Sequence, residues 1–412
     1  DEEDYVLGSF LSSKMYKHNV KCADCHDVHS ARLKLEGNTL CMQCHEPEYN
    51  TKKHHFHELN TEGANCVSCH MTGKHYMGND FRRDHSFRIP RPDQSVKYGT
   101  PNACNGCHDD KSNEWAAQQV ETFYGPVREP HFSDELLSGW IDGNLEDLVT
   151  LANDDSAAAI VRGTAIYYLS QTSLALVNEN INKWTSSREV LVRKSAQKAI
   201  RNFPKEQRVS YSVPALADKN RGVRIEAVIN LIDAEDMISA SYIGNYNKAV
   251  SEYKEYMNYS ADFPEGQTQL AQFHYNKGNY GAAIAAFKMA LKIDSLRAEP
   301  RLNLAITYNM MGENEKSLAQ LNKLEEIEPG DRMYYLRGLL LAEMKNNKQA
   351  VADIEDAIKL NPNVTTYYYN LVLIYNEMGN TERAKLWLQE GLSIFPNDER
   401  LSSLIVYFQK SS

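Results

Sequence analysis

Four short runs govern what this chain is able to become: Cys22-Ala23-Asp24-Cys25-His26, Cys41-Met42-Gln43-Cys44-His45, Cys66-Val67-Ser68-Cys69-His70 and Cys104-Asn105-Gly106-Cys107-His108. They use all 8 cysteines of the 412-residue sequence, and 11 of its 13 histidines fall before residue 109. Two thiols three positions apart, followed at once by histidine, form the attachment pattern of c-type haem. The thiols reach the two vinyl groups of one porphyrin, and the histidine ligates its iron. Disulfides explain an even cysteine count but not the trailing histidines. Zinc is the sharper rival, because 15 residues separate Cys25 from Cys41, a zinc-ribbon spacing. A four-thiolate zinc site, however, has no use for a histidine after every pair. The reading is therefore four covalently attached haems, with His26, His45, His70 and His108 as iron ligands on one side.

The opposite side needs four more ligands. Candidates are His18, His29, His54, His55, His57, His75 and His85, with Met15, Met42, Met71 and Met77 as weaker ones. His29 follows His26 by three residues, so it suits a neighbouring haem. His54 and His57 are three apart and are expected to share a helical face, with His55 pointing elsewhere. The run His54-His55-Phe56-His57 is also a conceivable zinc or copper ligand set. The stretch around His18 is expected to make few local contacts. His131 and His274 lie outside the cysteine-rich segment and read as ordinary histidines. Four porphyrins in so short a segment leave few side chains for a core, so the rings themselves are expected to be the core, closely packed as electron transfer requires.

Three further stretches carry a resemblance. They are Cys66-Val67-Ser68-Cys69-His70-Met71 with Tyr76-Met77-Gly78, then Arg83-Asp84-His85-Ser86-Phe87-Arg88-Ile89-Pro90-Arg91-Pro92-Asp93, then Gly99-Thr100-Pro101-Asn102-Ala103-Cys104. Over residues 15–125 the sequence resembles multihaem c-type cytochromes that carry a tetrahaem segment followed by helical repeats. The resemblance implies export, to the periplasm or to the extracellular or cell surface, because haem is attached after export. It also implies histidine on both faces of each iron, and the distal set His29, His54, His57 and His85. His18, His55 and His75 remain open as substitutes.

After Gly125-Pro126 the pattern becomes helical. Val161-Arg162 with Ala165, Val192-Arg193 with Ala196, and Val223-Arg224 with Ala227 recur every 31 residues and predict short HEAT-like hairpins. Further on, Ala283, Ser317, Ala350 and Ala384 are spaced 34, 33 and 34 apart, and Pro329, Pro362 and Pro396 follow the last three by 12. Gly278, Gly312 and Gly379 precede their small residues by five, with Lys345 in place of a fourth glycine. This resembles the tetratricopeptide repeat. Tyr334, Tyr335, Tyr367, Tyr368, Tyr369 and Tyr375 read as packing within the repeats rather than as a binding stripe. The expected fold is all-α: a tetrahaem segment over 1–128 with little regular structure, HEAT-like repeats over 129–240 and tetratricopeptide repeats over 241–412, the repeats forming an α-solenoid.

Function follows from the irons. Two histidines on each iron leave no open position, so the chain is expected to be an electron carrier rather than an enzyme, with no catalytic residues. Its partners are redox proteins or copies of itself, as in an extracellular cytochrome filament. A multihaem oxidoreductase acting on nitrite or hydroxylamine, and an interaction scaffold with structural haems, are the alternatives. Lys+Arg 45 against Asp+Glu 55 gives a net charge of −10, which argues against nucleic acid as a partner. No apolar run approaches the length of a membrane-spanning helix. The acidic start Asp1-Glu2-Glu3-Asp4 is unlike a secretory signal, so either the protein is cytosolic or a signal has been removed.

Overall fold

The computed structural model describes residues 6–76 and 78–410, and the chain divides into two compact units, Asp1–Asn245 and Tyr246–Ser412. The first half of unit one is built mainly from short pieces: helices at Lys14–Lys17, Cys22–Cys25, Lys52–His55 and Cys66–His70, and 3-10 segments at Gly37–Gln43 and Cys104–Gly106. Among the described residues, a two-stranded hairpin departs from the all-α expectation. Gly73–Tyr76 pairs antiparallel with Asp80–Arg83, with Lys74 opposite Arg82. Both cations lie over the Tyr76 ring, at 4.9 and 5.3 Å from its centre. Such cross-strand contacts stabilise a short hairpin that no hydrophobic alternation announces.

Among the described residues up to 130, the buried apolar side chains are Phe10, Ala64, Tyr76, Pro92 and Ala116. The polypeptide alone gives this segment little core. Its N-terminal stretch is nonetheless docked, through partners distant in sequence. The Val6–Ser12 helix packs against Ala159–Thr172, Lys17 Nζ donates to the Ser156 carbonyl (2.7 Å), and His85 N–H donates to Ser9 Oγ (3.2 Å).

The rest of unit one is helical. Helices Ala159–Thr172, Val190–Ile200 and Arg221–Leu231 begin 31 residues apart and stack in order. Val161, Val192 and Val223, with Ala165, Ala196 and Ala227, are buried between them. The arginine after each valine ties down a preceding turn: Arg162 to Asp155 (2.8 Å), Arg193 to the Ser187 carbonyl (2.8 Å) and Arg224 to the Asp218 carbonyl (2.7 Å), while Arg193 also reaches forward to the Asp218 carboxylate (2.7 Å). Each repeat thus buries its apolar face against the next, as in a solenoid.

Unit two contains helical hairpins: Pro264–Asn276 with Tyr280–Ile293, Ala298–Met310 with Asn314–Ile327, Asp331–Glu343 with Asn347–Leu360, and Thr365–Glu377 with Thr381–Ile394. The small residues Ala283, Ser317, Ala350 and Ala384 are buried where the two helices approach. Three second helices end at Ile327, Leu360 and Ile394, two residues before Pro329, Pro362 and Pro396. The inter-helix turn uses a left-handed residue: Gly278, Gly312 and Gly379 have φ of 71–72°, and Lys345 adopts 62°. A side chain there costs roughly 1–2 kcal/mol. The tyrosines pack inside the repeats, with Tyr367 donating to Asp331 (2.9 Å) and Tyr375 to Glu355 (2.6 Å). Among the described residues no helix is long and apolar enough to cross a membrane.

A buried ion group supplies a stability test. Arg337 donates to both oxygens of Asp353 (2.7 and 2.9 Å) and to Glu325, with Arg337 and Asp353 each about one-tenth exposed. Arg337→Met strands the Asp353 carboxylate, and denaturant unfolding of the repeat unit should show a loss of about 3–5 kcal/mol. An effect below 1 kcal/mol would mean that the carboxylate finds water.

Candidate metal centres

Each cysteine pair with its histidine occupies one helical turn. His26, His45 and His108 N–H donate to the carbonyls of Cys22, Cys41 and Cys104 (2.8, 3.1 and 2.9 Å), and the third motif is the helix Cys66–His70. Residues three apart in a turn share a face, so each turn offers two thiols on one side. No disulfide joins any of the eight cysteines. Cys41 and Cys66 share a hydrogen bond that raises the first and lowers the second. Burial pushes the Cys25 thiol up, followed by Asp24 and then Cys44, and burial pushes Cys69 up, followed by Cys104. The four turns therefore neighbour one another in sequence order. Asn38 joins the second to the third, donating to Asn50 Oδ1 (2.7 Å) and the Ala64 carbonyl (2.8 Å) and accepting from Cys66 N–H (2.9 Å).

Three motif histidines face three of the predicted distal histidines. Ring centres are 6.4 Å apart for His26 and His85, 6.2 Å for His70 and His54, and 6.2 Å for His108 and His57, with interplanar angles of 30°, 11° and 33°. An imidazole nitrogen bonded to a metal ion lies about 2 Å from it, and the ring centre roughly 1 Å further out, so two rings trans across one ion sit about 6 Å apart. The rings are also held in the tautomer a ligand needs. Nδ1 of His26, His70 and His85 lies 2.8, 2.8 and 2.9 Å from the carbonyls of Ala31, Arg88 and Arg83, and His57 Nδ1 contacts the His55 carbonyl. A carbonyl only accepts, so Nδ1 carries the proton and Nε2 keeps its lone pair. Burial, then His70, lowers the His54 pKa and favours the neutral, ligating form.

Local sequence builds these contacts. Asp27 Oδ1 accepts from Ser30 N–H (2.9 Å), Ser30 Oγ (2.9 Å) and His29 N–H (3.2 Å), and this Asx turn brings the Ala31 carbonyl back onto His26. Asp84 holds the N–H and hydroxyl of Ser86 (2.8 and 2.7 Å) on the far side of His85. Asn102 Oδ1 accepts from Asn105 N–H (3.1 Å) and sets the fourth turn, while Trp115 lies 5.0 Å from His108.

His54 and His57 do not share a helical face, contrary to the spacing argument. The helix ends at His55, and Phe56 is left-handed (φ 58°, ψ 17°), so the two imidazoles point at different motifs. His55 Nδ1 accepts from His57 N–H (3.2 Å), which places its proton on Nε2, away from a ligand's tautomer. His45 and His29 are the motif and distal histidines outside these pairs. Both are exposed, and His45 meets Tyr49 edge-on at 6.1 Å. His18 is exposed at the end of the Lys14–Lys17 helix, and exposed His75 lies beside Phe81 at 5.1 Å. Met15, Met42 and Met71 are partly buried, and Met77 lies outside the described residues. His131 caps the Phe132–Ile141 helix, and burial pushes its pKa down to about 4. Among the described residues no three His, Cys, Asp or Glu side chains converge on one bare ion. Sequence reasoning missed the aromatic residues around these rings: Tyr49, Phe56, Trp115, Phe123 and Tyr124.

Tetratricopeptide repeat models match residues 276–340, 331–364 and 365–398. Solved structures similar to the chain include a crystal structure of MamA (21% identity, 37% of this chain and 90% of that one, TM-score 0.34). They also include MamA 41-end from Desulfovibrio magneticus RS-1 (17%, 47% and 97%, TM-score 0.33). A third is YrrB, described as a TPR protein with an unusual peptide-binding site (16%, 43% and 91%, TM-score 0.34). No curated protein matches the chain significantly.

Gly63 offers a test of one pair. A methyl group there would fall 2.3–2.8 Å from the His57 ring. Gly63→Ala should displace His57 from His108 while leaving His54 against His70, as read in a structure of the variant. An unmoved His57 would show that the backbone yields instead.

Proposed function

We propose that this chain is an electron-transfer protein carrying four covalently attached c-type haems in residues 1–128. It would relay electrons to protein partners or along a polymer of itself, as an extracellular cytochrome filament does. The observation that carries this reading is the set of three imidazole pairs, 6.2–6.4 Å apart, each joining a motif histidine to a predicted distal one. Haem iron in such sites supplies one-electron chemistry at a potential tuned by axial ligands and burial.

The chain's own residues do the rest. Cys22 and Cys25, Cys41 and Cys44, Cys66 and Cys69, and Cys104 and Cys107 would each anchor one porphyrin. His26 with His85, His70 with His54 and His108 with His57 would close both axial positions. His29 is assigned to the site of His45 as the remaining member of the distal set. The carbonyls of Ala31, Arg88 and Arg83 hold the rings and enrich their donor nitrogens. Neighbouring thiols of successive motifs support a relay in motif order. The resemblance to multihaem c-type cytochromes belongs to the same reading and supports a location outside the cytoplasm, in the periplasm or at the cell surface. Tetratricopeptide arrays present extended surfaces for protein contact, and here that surface would dock a redox partner or a neighbouring copy.

A second reading rests on His45, which is exposed and outside the three pairs. If His45 is the sole axial ligand at its site, a small substrate such as nitrite or hydroxylamine would have access there. Cyanide binding by one of four haems, with turnover of nitrite, selects this reading. Indifference to both selects the carrier.

Denatured, matured protein should stay red, gain the mass of four haems and leave none of its 8 cysteines open to alkylation. Colour lost to acid–acetone, or alkylated thiols, would overturn the proposal. His85→Ala should turn one haem in four high-spin. A methionine–iron charge-transfer band in the parent would contradict the all-histidine set.

A further inference from the structure

We infer that Phe123 and Tyr124, at the end of the Asn113–Tyr124 helix, are positioning residues that clamp the turn carrying His54 and His57, fixing the distal ligands of two sites at once. The inference rests on the haem reading above. His54 and His57 must serve different motifs although only two residues separate them. A continuous helix would put both on one face. The chain resolves this by ending the helix at His55 and placing Phe56 in the left-handed region. A bulky side chain is disfavoured there and persists only where its surroundings fix it.

Those surroundings come from beyond the fourth motif. Phe56 lies flat on Phe123, with ring centres 4.0 Å apart and planes within 6°, and meets Tyr124 edge-on at 5.6 Å. The Tyr124 hydroxyl donates to the His54 carbonyl, and its ring stands edge-on to the His54 imidazole at 6.3 Å. Tyr49 meets the same imidazole edge-on at 5.1 Å. Core burial does not account for the clamp, since Phe123 and Tyr124 remain 41% and 50% exposed. The other end of the helix is tied to the fourth motif: Ser112 caps it by accepting Trp115 N–H (3.2 Å), and Trp115 packs on His108. One helix therefore holds His108 at its start and, at its end, the turn that presents His57 to His108 and His54 to His70.

The test uses the full, haem-loaded chain, with ferric electron paramagnetic resonance and near-infrared magnetic circular dichroism as readouts. Phe123→Ala combined with Tyr124→Ala should change the ligand-field signals of two haems in four, or turn those two partly high-spin, while the other two keep their signals. Phe123→Leu alone should shift the same two less. Tyr124→Phe, which keeps the ring, should restore most of the parental spectrum. Tyr259→Ala, which removes an exposed aromatic in the repeat unit, should change nothing. Four unchanged signals in the double variant, or equal changes in all four, would overturn the clamp. If the double variant fails to accumulate, Phe123→Leu decides: parental signals overturn the inference. A parent protein without covalent haem would instead overturn the functional reading, before any substitution is made.

Discussion

On the proposed reading, the fold of residues 6–130 depends on one constraint: an imidazole has to be presented by its Nε2 lone pair, at a fixed distance from a second imidazole. Regular secondary structure is poor at this. Helix and sheet spend their carbonyls on backbone N–H groups, whereas here the carbonyls of Ala31, Arg83 and Arg88 are left to ring nitrogens. The cost is a segment made largely of short turns, with a minimal apolar core. Asx turns, a short hairpin and the docked Val6–Ser12 helix hold it instead.

The helical remainder obeys a different rule. Each hairpin has one apolar face and buries it on its neighbour, so the same residue types return at a fixed period. Small residues mark where helices approach, and left-handed turns mark where they reverse. Lys345 shows that the rule concerns the backbone: it adopts the glycine conformation without being glycine, while its ammonium reaches Glu377 at 2.9 Å. An exposed pair of that kind contributes about 1 kcal/mol at most, so it offsets the strain only in part.

Local physics made much of this legible in the sequence. The cysteine–histidine turns were readable because thiols and histidine sit within five residues, and the repeats because Pro329, Pro362 and Pro396 follow two residues after the helices end. Three of the four predicted distal histidines are found opposite motif histidines. The left-handed Phe56 was not legible, because its cause lies in Phe123 and Tyr124, more than sixty residues away in sequence. The same holds for the hairpin at Gly73–Arg83, stabilised by cations over Tyr76 rather than by alternation, and for the N-terminal helix, whose partner is Ala159–Thr172. Spacing predicts which residues are neighbours along one element. It says nothing of contacts that reach across the fold.

Anomalous diffraction at the iron absorption edge, from crystals of the full matured chain, tests the central claim most directly. The account predicts four iron peaks. Three should lie between His26 and His85, His54 and His70, and His57 and His108, each about 2 Å from two Nε2 atoms, with the fourth at His45. A zinc signal among the thiols, or iron bound away from these imidazole pairs, would contradict it.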